Sequence, residues 1–80
     1  MSYLDEFLRA LMGPHERAAI LAVRERRTSG VEELTFNVSN VVLDFDASTA
    51  TVEDDLDADV SETVGLNDFF DRVAAIDLDA

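Results

Sequence analysis

The spacing of apolar residues changes character twice along this chain, and that pattern decides what it can fold into. Leu4, Phe7, Leu8, Leu11 and Met12 recur at i, i+3, i+4, i+7 and i+8, the stripe of an amphipathic helix. Ser2 is the expected N-cap, and Asp5 and Glu6 in the first turn suit the positive end of the helix dipole. Gly13-Pro14 interrupts this helix. A second helix is expected from about Pro14 to Arg26, burying Ala18, Ile20, Leu21 and Val23 and ending in Arg24, Arg26 and Arg27. From Glu33 the period becomes 2. Leu34, Phe36 and Val38 alternate with polar residues, and then Val41, Leu43 and Phe45 do so on odd numbers. A regular strand cannot change faces, so a tight turn or a bulge is expected at Ser39-Asn40, and the turn is favoured. The helical period returns with Leu66, Phe69, Phe70, Val73 and Ile76, for which Asn67 is the expected N-cap.

These elements predict a single α+β domain over residues 1–80. Two N-terminal helices and a C-terminal helix over about 67–76 would cover one face of a small antiparallel sheet. The sheet is expected to have two to three strands, over about 33–38, 41–46 and 50–56. Residues 60–65 form either a short edge strand or irregular chain, and the tail from Asp77 should fray. A two-residue turn at Ala47-Ser48 would set Leu43 opposite Val52 and Phe45 opposite Ala50 inside. Asp44 would then face Thr51, Asp46 would face Thr49, and Val42 would face Glu53 outside. Ala-Ser lacks the glycine or asparagine of a primed turn, so a longer loop with a shifted register is the alternative.

Composition limits the function. The chain has eighteen acids, six basic residues and a net charge of -12, with 48% hydrophobic residues, too many for an acidic disordered tail. All six bases are arginine, and five of them precede residue 28. From residue 28 onward, fourteen acids face the single Arg72. Such a field repels nucleic-acid phosphates and anionic lipid and attracts basic partners, so neither direct nucleic-acid binding nor membrane association is expected. There is no cysteine for a disulfide or a thiolate metal site. The longest apolar run, residues 18–23, is far short of the roughly 20 residues that span a bilayer, and a cytoplasmic protein is expected.

Catalytic motifs lack essential parts. Val41-Val42-Leu43-Asp44-Phe45-Asp46 is similar to the apolar strand and Asp-x-Asp nucleophile of haloacid-dehalogenase-type phosphatases. The lysine that family requires is missing, and so is the length its α/β domain needs. Asp55-x-Asp57-x-Asp59 has the spacing of the first calcium ligands of an EF-hand, but Val60 stands where glycine is required and Leu66 where glutamate is. His15 is the only histidine and has no nucleophile motif to serve. No enzymatic activity, metal or cofactor is therefore expected. The arginines near residue 26 are interspersed with Glu16 and Glu25 and lack aromatic neighbours, which suits a solvated helix end.

What remains is the acid block. Asp44, Asp46, Glu53 and Asp55 are expected to share the outer face of the hairpin, with Asp54, Asp57 and Asp59 nearby. The stretch from Val41 to Phe70 resembles small acidic immunity (toxin-inhibitor) proteins of bacterial toxin systems. The likeness lies in an apolar-Asp hairpin, Val42-Leu43-Asp44-Phe45-Asp46 returning as Thr51-Val52-Glu53-Asp54. It continues in the Asp-rich loop Asp55-Leu56-Asp57 and the helix entry Leu66-Asn67-Asp68-Phe69-Phe70. It implies a nucleic-acid mimic whose contact set, Asp44, Asp46, Glu53, Asp54, Asp55, Asp57 and Asp59, covers a basic partner such as a nuclease or another nucleic-acid-binding protein. The alternative is a halophilic or high-GC domain whose acidity serves solubility. Its helices would form a homo-oligomer or partner interface.

Overall fold

The computed structural model describes residues 3–36, 38–57 and 59–76. One helical turn, α1 (Tyr3–Glu6), runs on into a π-helical turn (Phe7–Leu11), and α2 spans Pro14–Arg26. Four strands follow, β1 (Val31–Thr35), β2 (Ser39–Asp44), β3 (Thr49–Asp54) and β4 (Ser61–Gly65), and then α3 (Leu66–Ala75). The strands form an antiparallel meander in the order β1-β2-β3-β4, with the helices on one face. The α+β class holds, but the predicted element list does not.

At the N-terminus there are not two regular α-helices. Only α2 is one, and the segment before it widens into a π turn closed by Met12 N–H donating to the Phe7 carbonyl at 2.7 Å. Pro14 has no N–H with which to extend a helix, so the chain must turn out within two residues of Leu11. The wide turn still keeps Leu4, Phe7, Leu8 and Met12 buried, while Leu11 is only partly covered. In α2, Ile20 and Val23 are buried, Leu21 is half-buried, and Ala18 is exposed. The Glu16 carboxylate accepts the Gly13 N–H at 3.0 Å and closes the start of α2. Ser2 and the residues from Asp77 onward lie outside the described residues.

The sheet has four strands, not two to three, and each boundary moves for a local reason. The first hairpin closes where Phe36 N–H donates to the Ser39 carbonyl at 2.8 Å, which ends β1 at Thr35 and leaves Val38 exposed. The turn therefore precedes Ser39-Asn40, and both residues belong to β2. Ser39 faces the core and is 1% exposed, its hydroxyl 2.7 Å from the Tyr3 hydroxyl. The second hairpin takes the longer loop, residues 45–48. Leu43 pairs with Ala50 and Val41 with Val52, while Asp44 pairs with Thr49, Val42 with Thr51 and Asn40 with Glu53. This register is two residues from the two-residue-turn arrangement, so every side chain keeps its face and only its neighbours change. Asp44 Oδ1 accepts Ala47 N–H at 2.9 Å, and Ser48 takes the left-handed φ of 58° that lets the loop close without glycine.

Strand β3 ends at Asp54 rather than residue 56, because a turn begins there: Asp57 N–H donates to the Asp54 carbonyl at 3.3 Å. Residues 61–65 are a regular edge strand, bringing Glu62 opposite Val52 and Val64 opposite Ala50. It runs straight into α3, which starts at Leu66 with Gly65 as its N-cap, so Asn67 lies inside the first turn. The Leu66 N–H is taken by the Ser48 carbonyl at 2.9 Å, tying the helix start to the β2–β3 loop. At the other end of α3, Arg17 donates to the carbonyls of Val73 (3.1 Å) and Ala74 (2.9 Å) in the last turn of the helix.

The core lies between the layers. Val41, Leu43, Ala50 and Val52 rise from the sheet to meet Leu66, Phe69, Phe70 and Val73 of α3 and the N-terminal apolar residues. Burying a leucine or phenylalanine side chain is worth about 1.5–3 kcal/mol, so the apolar stripe of α3 supplies the main favourable term in its docking. Phe70 touches Phe69 and Phe45 at ring separations of 6.2 and 6.1 Å, and the Arg24 guanidinium covers it at 5.5 Å.

Candidate functional site

Among the described residues all helices pack on one face, and none covers the other face of the sheet. The strand registers place three rows on it: Val31, Asp44, Thr49 and Gly65; then Glu33, Val42, Thr51 and Thr63; then Thr35, Asn40, Glu53 and Ser61. This face carries three acids, Glu33, Asp44 and Glu53, among four threonines, two of which share a hydroxyl hydrogen bond (Thr51–Thr63, 2.8 Å). Asp44 and Glu53 sit two rows apart, roughly 13 Å along the strands at about 3.3 Å per residue.

The seven acids singled out in the sequence therefore divide between the two ends of the sheet. Asp44 and Asp46 lie at the end with the β2–β3 loop. Asp46 is in that loop, not on the strand, and its Oδ1 accepts the Gly30 N–H at 3.1 Å. Glu53, Asp54, Asp55, Asp57 and Asp59 lie at the opposite end, around the β3–β4 loop. Asp54 belongs to the core-facing side of β3, opposite Ser39, and its Oδ1 turns back to accept Leu56 N–H at 2.8 Å. Asp57 Oδ1 accepts Asp59 N–H at 3.1 Å, and Asp55 Oδ1 accepts the Asn40 amide at 3.2 Å. Four of these aspartates thus fix loop backbone, which explains why short acidic side chains, rather than glutamates, occupy the turns.

The arginines lie in the helical layer. Arg26 and Arg27 both reach Glu32, at 3.0 and 3.1 Å, and Arg72 pairs with Asp68 at 3.1 Å. Glu32 sits on the helix-facing side of β1, opposite Leu43, and the hydrogen bond from Arg26 is the main reason its carboxyl titrates below its ordinary value. Among the described residues, the seven acids of the sheet and its loops thus have no arginine as an ion-pair partner.

Two features of this surface were not among the expected site residues. Glu33 joins the outer face, and its position follows from the alternation that turns Leu34 and Phe36 inward. Leu56, expected to end the third strand, lies in the loop beyond β3 and is 88% exposed. Among the described residues no group of three or more His, Cys, Asp or Glu is placed to hold a metal, and Asp55, Asp57 and Asp59 do not converge. No helix among them is long and apolar enough to cross a membrane.

No protein-family model, curated protein or solved structure matches this chain.

Proposed function

We propose that this protein is a non-enzymatic acidic binding module that docks on a basic surface of a partner protein, in the manner of an inhibitor or nucleic-acid mimic. The observation that carries this reading is the segregation of charge. Five of the six arginines, Arg17, Arg24, Arg26, Arg27 and Arg72, are engaged on the helical side with backbone carbonyls, Phe70, Glu32 and Asp68. The sheet side and its loops present carboxylates with no guanidinium partner among the described residues. The division of the acids alters the expected contact surface. The β3–β4 end, with Glu53, Asp54, Asp55, Asp57 and Asp59, is the denser patch, and Asp44 with Asp46 forms a second, smaller one. Complementarity of this kind speeds association with a cationic partner and rejects anionic ones. A nuclease or another nucleic-acid-binding protein has the required basic surface, and the likeness to toxin-immunity proteins favours it.

A matched pair of charge variants tests the reading. Asp54, Asp55, Asp57 and Asp59 are changed to Asn in one, and Glu6, Glu25, Asp68 and Asp71 to Gln or Asn in the other, so each loses four charges. With octalysine as the probe at about 0.15 M salt, the first variant should lose roughly tenfold in affinity and the second less than about twofold. Equal losses would mean that only net charge matters, as in a protein whose acidity serves solubility.

A further inference from the structure

The β3–β4 end carries exposed apolar side chains as well as acids. Four large hydrophobic residues are exposed among the described residues: Val31, Val38, Leu56 and Val60. Three of them gather at this one end. Asp55 N–H donates to the Val38 carbonyl at 3.0 Å, and Asp54 N–H donates to the Val60 carbonyl at 2.9 Å, so the β1–β2 turn and both sides of the β3–β4 loop are bound together. Leu56 projects from that loop at 88% exposure, while Val38 and Val60 are 39% and 36% exposed.

The described residues of the loop that carries Leu56 are tied by hydrogen bonds. Leu56 N–H is fixed by the Asp54 carboxylate, Asp57 and Val60 N–H by the carbonyls of Asp54 and Asp57, and Asp59 N–H by the Asp57 carboxylate. A scattered exposed leucine requires no explanation. An apolar side chain on a hydrogen-bonded loop, with two further exposed apolar residues and several carboxylates at the same end of the sheet, supplies the two ingredients of a binding hot spot, an apolar anchor and charged neighbours. Because the Leu56 N–H already has its hydrogen-bond partner in the unbound protein, less conformational entropy is lost when it docks.

We infer that Leu56, supported by Val38 and Val60, is the apolar anchor of the docking surface, and that it seats in a partner-protein recess bordered by Lys and Arg. The rim of Asp55, Asp57 and Asp59 selects that cationic border by charge complementarity, and Leu56 adds affinity that charge alone does not provide. This inference rests on the proposed docking of a basic partner, and it adds the apolar half of the contact.

Two peptide probes of equal charge separate the inference from that underlying reading. One is octalysine. The other is an amphipathic Leu/Lys helical peptide with eight lysines, whose leucine face is bordered by cations. Both are titrated into the isotopically labelled protein at about 0.15 M salt. The Leu/Lys peptide should bind more tightly, with its largest amide shifts at residues 38, 55–57, 59 and 60. Leu56→Ser should weaken that peptide by roughly tenfold and leave octalysine unchanged. A Leu56→Ser protein that binds the Leu/Lys peptide as wild type does would overturn the anchor while leaving the acidic docking intact. Failure of wild type to bind either peptide would overturn both.

Discussion

The loop aspartates do two separable things, and replacing them with Asn or with Ala separates the two. Asn keeps an oxygen that can accept a backbone N–H, whereas Ala removes both the acceptor and the charge. In Asp54→Ala the Leu56 N–H loses its 2.8 Å acceptor, and in Asp57→Ala the Asp59 N–H loses its 3.1 Å acceptor. Each lost bond should cost about 1 kcal/mol net of its replacement by water. Asn at either position should cost little and should relieve repulsion. Two unit charges roughly 7 Å apart in water repel by about 0.6 kcal/mol, and at about 0.15 M salt less than half of that remains. In dilute buffer, then, Asp54→Asn/Asp57→Asn should match or exceed wild-type stability, while the double Ala variant should lie about 2 kcal/mol below the double Asn variant. Urea denaturation at low and moderate salt reads both quantities. Ala and Asn variants of equal stability would refute the turn role assigned to these carboxylates.

Other consequences follow from single residues. Because Arg26 and Arg27 hold the Glu32 carboxyl below its usual value near 4.5, its stabilising contribution is complete above that pH and is lost as pH falls through the lowered value. The melting-temperature gap between wild type and Glu32→Gln should therefore be widest near neutrality and should close in acid; a gap independent of pH would contradict the pairing. Gly30 has a φ of +82°, and a Cβ there would stand 2.6 Å from Arg27 Nη1. Gly30→Ala should therefore destabilise by about 1–2 kcal/mol in a denaturation experiment. Ser48 takes a φ of 58° in the β2–β3 loop, so Ser48→Gly should stabilise by up to about 1 kcal/mol, and a loss of stability would count against that loop geometry.

The sequence made the class of fold legible because class depends on periodicity. The stripe from Leu4 to Met12, the alternation about Leu43 and the Phe69-Phe70 helix each require a buried face, and each has one. Boundaries were less legible because they depend on single hydrogen bonds. Nothing in the apolar pattern specifies that Phe36 closes on Ser39, or that the Asp44 carboxylate captures Ala47 and lengthens the second hairpin. The two-residue shift in register kept each side chain on its expected face, but it moved Asp46 off the strand and set Asp44 and Glu53 two rows apart. That is why a single acidic face, as expected from residue order, becomes two patches in space. Leu56 was hidden for a related reason: its even number matched the inward side of β3, and only the turn at Asp54 takes it out of the strand.

In the proposed docking, the carboxylates of the sheet side and its loops, and not the net charge alone, recruit a cationic partner. Amide-shift mapping with octalysine at about 0.15 M salt measures this directly. The account predicts shifts at residues 53–57 and 59–60, weaker ones at 44–46, and little change across α2 and α3, with all shifts fading at high salt. Shifts spread evenly over the helical layer and the sheet would contradict it.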